Sequence, residues 1–202
     1  MTIARLWLRA HRWPTLAATS CLVAVAGLVL GGRHVPIPSL SGARGLSVPL
    51  SQLLPLLLAC AVALRTRAPT TVFRVVPRSP VPQRAALLVT CLVTVAAACP
   101  LLPDGQTALR NLAGLTGMAL VTATIAGATR GWTLPLLHLM CCLLFGAHPR
   151  HTPQGGIGAR WWAFAIADAD DRTAMAVALL LCAVGSLLFV LRGPRDETAP
   201  HD

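Results

Sequence analysis

The sequence predicts an all-α polytopic membrane protein with six transmembrane helices, an N-terminal interfacial helix and both termini in the cytoplasm. Of the 202 residues, 55% are hydrophobic and 12% are charged, whereas a soluble globular chain carries roughly 25% charged residues. Lipid is therefore the expected solvent for most of the chain. Six stretches lack Asp, Glu and Arg and are long enough, at roughly 17 to 25 helical residues, to cross the hydrocarbon core. They are 14–32, 46–64, 85–103, 111–129, 131–147 and 173–191.

The stretch 14–32 would also fit the apolar region of a cleaved signal peptide. No obvious small-x-small cleavage site separates it from the next stretch, so we expect a first helix that is retained. Because the six stretches fill over half of the chain, residues 1–202 are expected to form a single transmembrane domain without a separate soluble domain.

The arginines predict the orientation of the bundle, because cytoplasmic loops of membrane proteins carry an excess of basic residues. With the N-terminus inside, the cytoplasmic segments contain 11 arginines and the outer segments 6. Both termini are therefore predicted to be cytoplasmic, and the loop between the second and third spans contributes most of the difference. The outer side also receives Asp104, Asp168, Asp170 and Asp171.

Residues 3–13 predict an amphipathic helix that lies in the headgroup layer, with tryptophans in the interface and arginines toward anionic lipid. The alternative is an ordinary basic flank of the first span. The apolar face carries Ile3, Leu6, Trp7, Ala10 and Trp13, and the opposite face carries Arg5, Arg9 and Arg12.

The segment 65–84 is a basic, proline-interrupted cytoplasmic loop with an apolar centre. A solvated tether has no need of an apolar patch, so the centre is predicted to form a short helix or turn that docks into a groove of a partner protein. The alternative is a loop whose arginines only fix the topology. The predicted docking residues are Val72, Phe73, Arg74, Val75 and Val76.

The outer segment 148–172 is predicted to re-enter the membrane or to lie along its outer interface. Trp161 and Trp162 are adjacent in it, and tryptophan concentrates at membrane interfaces. The glycines around Gly156 supply a flexible turn. A plain surface loop is the alternative, although two adjacent tryptophans would be unusual there.

Residue types exclude several kinds of chemistry. All 17 basic residues are arginine, so the chain lacks the lysine of a P-loop or a Schiff base. The spans contain no carboxylate, which removes the acidic relay of proton- or sodium-coupled transporters. The arginines punctuate apolar runs instead of forming one surface patch, which argues against nucleic-acid binding. We therefore expect no catalytic residue, metal site or bound cofactor in this chain.

His138 is the ionisable residue that falls within the six spans. It is expected either to contact a transported cargo or, as is commoner, to be hydrogen-bonded inside the bundle. Cys141 and Cys142 follow one turn later, but adjacent cysteines on a helix point in different directions and cannot complete a metal site. The candidate pathway residues are Thr116, Thr122, Thr124 and His138.

Small residues in the spans predict seams where helices approach closely. Glycine is enriched at such seams because it lets the two backbones come together. Prolines in the second and fifth spans permit kinks. The predicted packing glycines are Gly27, Gly31, Gly114 and Gly117.

The order of these features resembles the membrane (permease) subunit of type 2 ABC transporters, the family of bacterial drug, peptide and polysaccharide exporters. That family has an N-terminal interfacial helix, six spans with cytoplasmic termini, a coupling segment between spans two and three, and an outer excursion between spans five and six. Local stretches also look like the compact permeases of actinobacteria. They are Arg110-Asn111-Leu112, Gly114-Leu115-Thr116-Gly117, Arg160-Trp161-Trp162-Ala163 and Leu191-Arg192-Gly193-Pro194-Arg195.

The resemblance implies a multi-pass protein of the bacterial cell membrane that pairs with a second membrane subunit, identical or paralogous. Separate ABC ATPase subunits would bind ATP and Mg and would contact the coupling segment. The expected cargo is amphipathic or apolar, such as a drug, a peptide antibiotic or a lipid-like metabolite. The alternative is a non-transporting membrane scaffold or regulatory partner that anchors another protein through the same loop. A solitary channel is disfavoured because the spans hold too few polar residues.

Overall fold

The computed structural model describes residues 13–37, 46–66, 81–102, 104–150 and 156–195. Most of the described residues are helical, as predicted. The six α-helices within these ranges are α1 (Trp13–Leu30), α2 (Pro55–Arg65), α3 (Val81–Ala96), α4 (Gly105–Ala126), α5 (Thr133–Phe145) and α6 (Arg172–Arg192).

Four helical segments of the described chain are long enough and apolar enough to cross a membrane: Val81–Leu101, Gly105–Ala126, Ala128–Phe145 and Arg172–Arg192. Two further apolar helices are shorter, Pro14–Leu30 and Leu50–Arg65. The chain thus has the helices of a membrane protein. Six complete spans, cytoplasmic termini and the interfacial helix over 3–13 stay predictions, and residues 3–12 and Val72–Val76 lie outside the described ranges.

Two short antiparallel hairpins interrupt the helical pattern, so the all-α prediction is wrong in this detail. Strand β1 (His34–Ile37) pairs with β2 (Leu46–Pro49) in a register that places Val35 opposite Val48. Strand β3 (Ala147–Arg150) pairs with β4 (Gly156–Ala159), with His148 opposite Gly158. The second hairpin occupies the start of the predicted outer segment 148–172.

The second predicted span, 46–64, is the stretch that differs most from the helix in the structure. Its first residues form β2 and the 3-10 turn Leu50–Gln52, and α2 begins only at Pro55. Pro49 is extended, with φ −64° and ψ 137°, and neither proline has an N–H to donate to a helix. These two prolines confine the regular helix to Pro55–Arg65.

Contacts between helix ends show that the helices alternate in direction. Gly27 near the end of α1 meets Leu102 after α3, and Arg110 near the start of α4 bonds to Asp168 before α6. At the other end, Arg84 at the start of α3 meets Gly193 after α6. Gln52 before α2 bonds to Asn111 near the start of α4, and Gly146 after α5 lies against Ala163 before α6. Each helix therefore carries the chain to the opposite end of the bundle.

The two ends of the bundle differ in charge. The described residues include four carboxylates, and all of them lie beside the starts of α4 and α6: Asp104, Asp168, Asp170 and Asp171. We call this end of the bundle the Asp-containing end. The opposite end holds as many described arginines as the Asp-containing end, namely five, but no carboxylate within the described ranges. We call it the Arg-rich end; its arginines are Arg65, Arg84, Arg130, Arg192 and Arg195.

Helix α4 is the centre of the bundle, with apolar clusters on either side of it. One cluster joins α4 to α1, α2 and α3 through side chains such as Leu58, Leu88 and Leu112. The other joins it to α5 and α6 through side chains such as Leu115 and Ala178. Most side chains of α4 are buried for this reason, whereas the outer helices expose apolar side chains in the manner of a surface that faces lipid.

Asp171 caps the N-terminus of α6, because its Oδ1 accepts a hydrogen bond of 3.0 Å from the N–H of Ala174. Removing such a cap costs typically about 1 kcal/mol. We therefore expect Asp171→Ala to lower the free energy of unfolding by about that amount, measured by thermal unfolding in detergent. The matched change Asp170→Ala, at an exposed neighbour, should have little effect, and equal losses in both variants would contradict the capping role.

Candidate functional site

A buried arginine lies at the Asp-containing end of α4. Arg110 is 1% exposed and is the largest of the fully buried side chains. Its Nη1 donates to the carbonyl of Asp168 at 2.6 Å and its Nη2 to the carbonyl of Ala167 at 2.7 Å. The carboxylates of Asp171, Asp168 and Asp104 also interact favourably with its charge. The guanidinium therefore fixes the backbone that precedes α6.

Asn111 extends this contact to a third part of the chain. Its Nδ2 donates to the carbonyl of Ala165 at 2.9 Å and to that of Gln52 at 3.3 Å, while its Oδ1 accepts from Nε of Arg110 at 3.4 Å. Gln52 belongs to the 3-10 turn before α2. We call Arg110, Asn111 and the carbonyls that they bind the Arg110 cluster; it joins α4, the start of α2 and the segment 163–168.

The segment held by the Arg110 cluster is itself buried. It contains the 3-10 turn Phe164–Ile166, and the side chain of Phe164 is 0% exposed. Phe164 lies against Gly114 of α4, where an added Cβ would come within 2.5 Å of its ring. The glycine thus creates the space that this aromatic ring occupies. Trp161, by contrast, is 71% exposed.

His138 lines the other side of the Phe164 ring. The two rings stack with centroids 4.7 Å apart and an interplanar angle of 20°, and Trp162 meets His138 edge-on at 6.3 Å. The Nε2 atom of His138 lies 3.2 Å from the Sγ atom of Cys142. His138 therefore packs against the segment 163–168 and a neighbouring thiol.

The chemistry available to His138 is limited by its neighbours. Cys142 is buried and approaches it, whereas no such contact joins it to Cys141. Within the described ranges, no group of three or more His, Cys, Asp and Glu side chains is placed to hold a metal ion. A single imidazole and a single thiol do not make a structural zinc site, which takes four ligands.

Three of the four predicted packing glycines, Gly27, Gly114 and Gly117, lie at close approaches between elements. Gly27 meets Leu102 and Leu54, and Gly31 is buried with its N–H bonded to the carbonyl of Gly27 at 2.9 Å. Gly114 faces Phe164, as described above. Gly117 lies where α4 crosses α6, against the backbone of Leu181.

The predicted pathway threonines do not line one polar surface. Thr122 donates to the carbonyl of Met118 and Thr124 to that of Val121, each within its own helix. Thr116 is fully buried, and its hydroxyl has no partner among the described residues. Together with His138, which contacts Phe164, these residues are separate parts of a packed interior.

Sequence reasoning assigns no site role to Arg110, Asn111 or Phe164. It also assigns none to Gly185 of α6, where an added Cβ would meet the backbone of Gly117. Arg110 is predicted to bound the fourth span from outside, yet α4 begins at Gly105 and includes it. It is therefore a buried arginine inside a helix, whereas the prediction places it outside the span. Two signals point to the cluster: an Arg-Asn pair directly before an apolar stretch, and a glycine four residues later that leaves room for a ring.

No protein-family model, curated protein sequence or solved structure matches this chain.

Proposed function

We propose that this chain is the membrane-spanning subunit of an ATP-driven exporter, powered by a separate ATPase subunit. The observation that supports this most is the Arg-rich end, where α2 ends at Arg65 and α3 begins before Arg84. In the sequence these two helix ends flank residues 67–80, which include the predicted docking residues Val72–Val76. A segment between two packed helices is placed to transmit a push from a partner into the bundle.

The packed interior bears on where a transport pathway would run. The predicted pathway residues Thr122 and Thr124 bond within their own helix, and Thr116 is buried apart from them without a hydrogen-bond partner among the described residues. A single copy therefore offers no continuous polar route among these residues. We therefore place the pathway between this chain and a second membrane subunit, identical or paralogous. Its walls would be exposed apolar faces such as those of α5 and α6, which suit an amphipathic or apolar cargo: a drug, a peptide antibiotic or a lipid-like metabolite.

In this proposal the chain carries no catalytic residue of its own. ATP and Mg would be bound by the ABC ATPase partner, and the complex would lie in a bacterial cell membrane with the Arg-rich end in the cytoplasm. Closure of the ATPase subunits would move the coupling segment. This movement would shift the pathway between the two membrane subunits from an occluded to an open state.

The experiment is to purify the tagged full-length chain in mild detergent from its native host, identify the proteins that co-elute and measure ATP hydrolysis. We expect a stoichiometric ATPase, and we expect the double variant Phe73→Asp/Val75→Asp to lose it, because two carboxylates would replace the apolar contact. ATP hydrolysis in the eluate should fall by at least about tenfold, which corresponds to roughly 1.4 kcal/mol of lost binding.

The matched control is Val35→Asp/Ser47→Asp, which adds two carboxylates on exposed positions of the β1–β2 hairpin at the opposite end. This variant should keep the ATPase. If the Phe73/Val75 variant co-elutes with the ATPase as well as the natural sequence does, the coupling role of the segment is wrong.

A second candidate function is a membrane scaffold or regulatory partner that anchors another protein through the same segment. The close crossing of α4 and α6 at Gly117 and Gly185 favours it, because a tightly packed bundle suits a fixed anchor. It predicts a co-eluting partner without nucleotide hydrolysis, so the purification above distinguishes the two functions.

A further inference from the structure

Two arginines at the Arg-rich end lie beside an apolar edge of the bundle. The guanidinium of Arg84, at the start of α3, lies against Gly193 directly after α6. Gly193 has a φ of +76°, a conformation that favours glycine, and a Cβ at this position would lie 2.5 Å from Nη2 of Arg84. The glycine thus ends α6 and makes room for the guanidinium.

Arg195 follows two residues later and is held by the end of α4. Its main-chain N–H donates to the carbonyl of Ala123 at 3.1 Å and its Nη1 to the carbonyl of Ile125 at 3.2 Å. The C-terminal end of a helix favours a cation because its carbonyls carry partial negative charge. A guanidinium has five N–H donors, so Arg195 keeps donors for a further acceptor.

Neither arginine is neutralised by a carboxylate within the described ranges, because the four described carboxylates lie at the opposite end of the bundle. No described residue accepts a hydrogen bond from Arg84. Arg65, Arg130 and Arg192 add positive charge at the same end. The surface is therefore complementary to an anion.

The surroundings of the arginines indicate which kind of anion fits. Ile125, whose carbonyl binds Arg195, exposes 61% of its side chain, and Leu191 on α6 exposes 60%. A soluble anion would contact only the arginines, whereas a phospholipid has a phosphate for the arginines and acyl chains for the apolar surface. Guanidinium groups at the edge of an apolar face match this arrangement.

We propose that Arg84 and Arg195 bind the phosphate of an anionic phospholipid, whose acyl chains lie along Ile125 and Leu191. The site holds one lipid between the ends of α3, α4 and α6 on the Arg-rich side. It does not depend on an ATPase partner or on transport.

The test uses the purified full-length chain in detergent, titrated with phosphatidylglycerol and observed by native mass spectrometry. A basic residue near an anionic lipid headgroup contributes about fivefold in affinity, so Arg84→Gln/Arg195→Gln should weaken binding by about thirtyfold. Phosphatidylcholine should bind more weakly and should not respond to the substitutions. Glycerol 1-phosphate, the soluble form of the headgroup, should compete poorly because it lacks acyl chains.

The matched control is Arg33→Gln/Arg160→Gln, which removes two exposed arginines at the opposite end and should leave the affinity within about twofold. Arg84→Gln alone removes no hydrogen bond to a described residue, so it tests the site even if the double variant fails to fold, with an expected loss of about fivefold.

Three results would overturn the proposal. One is an unchanged affinity in Arg84→Gln, and another is an equal loss in the control pair, which would indicate a general charge effect. The third concerns the acidic residues Asp196 and Glu197, which follow Arg195 in the sequence. If a chain without residues 196–202 binds phosphatidylglycerol and the full chain does not, the chain's own C-terminus is the occupant.

Discussion

Gly117→Ala is expected to destabilise the bundle by about 3 kcal/mol, at the upper end of what overpacking usually costs. An added Cβ would clash with the carbonyl of Leu181 on α6, and this obstacle is backbone, not a side chain that can rotate away. A gain of up to about 1 kcal/mol from the better helix propensity of alanine is too small to offset the clash. Loss of monodisperse protein on heating in detergent, followed by size-exclusion chromatography, measures the effect.

Gly185 offers a second test of the same crossing. Its own added Cβ would meet the carbonyl of Gly117, so Gly185→Ala should cost about as much as Gly117→Ala. Once the methyl group at one of the two positions has pushed the helices apart, a methyl group at the other position fits without a further clash. The double variant should therefore lose less than the sum of the two single losses, by about 1 to 2 kcal/mol, as expected for residues in contact.

Gly32→Ala is the matched control, because nothing lies within 4 Å of a Cβ built on Gly32. Its stability should change by no more than about 0.5 kcal/mol, as for other surface substitutions. Equal stability of Gly117→Ala and Gly32→Ala would mean that α4 and α6 do not cross as closely as described here.

The helices are the part of the fold that hydropathy predicts well, because an uncharged apolar stretch is stable in lipid only if its backbone bonds are made internally. Five of the six predicted spans overlap α-helices of the structure. They are 14–32, 85–103, 111–129, 131–147 and 173–191, which overlap α1, α3, α4, α5 and α6. The span 46–64 overlaps a shorter helix because hydropathy does not register the missing N–H groups of Pro49 and Pro55. Both prolines are visible in the sequence, and a strand before the second of them is consistent with their chemistry.

The Arg110 cluster shows what a sequence pattern leaves out. A charged residue is expected to bound a span because burying it alone is costly. Here the cost of burying the guanidinium is offset by two carbonyls that lie 57 and 58 residues further along the chain. No local sequence pattern predicts partners that are so distant in the chain. In the same way, the adjacent tryptophans favour an interfacial position for the segment 148–172, but the fully buried ring of that segment is Phe164.

Arg110→Met should release the segment 163–168 from the bundle. The carbonyls of Ala167 and Asp168 would each lose a hydrogen bond from the guanidinium, and a hydrogen bond to a charged group is worth about 1.5 to 3 kcal/mol. The Asp168 carbonyl keeps the N–H of Asp171, at 3.1 Å. Part of the lost free energy is recovered because the methionine variant no longer buries a charge. We expect the local opening free energy to fall by about 2.8 kcal/mol, which makes opening about a hundredfold more frequent.

Hydrogen–deuterium exchange of peptides that cover 161–171 and 176–190 measures this release. In Arg110→Met the first region should exchange about a hundredfold faster, since hydrogen bonds such as that from the Ala167 N–H to the Phe164 carbonyl lie within the segment and do not tie it to the bundle. The second region, inside α6, should stay protected, which separates local release from unfolding of the whole chain.

In Arg110→Lys the first region should exchange at a rate between those of Arg110→Met and the natural sequence, because an ammonium group lacks the planar fork that reaches both carbonyls. Arg160→Met removes an exposed arginine from the same outer segment, and its region 161–171 should exchange at the rate of the natural sequence. If that region exchanges at the natural rate in Arg110→Met too, the packing of Phe164 against Gly114, and not the guanidinium, holds the segment in place.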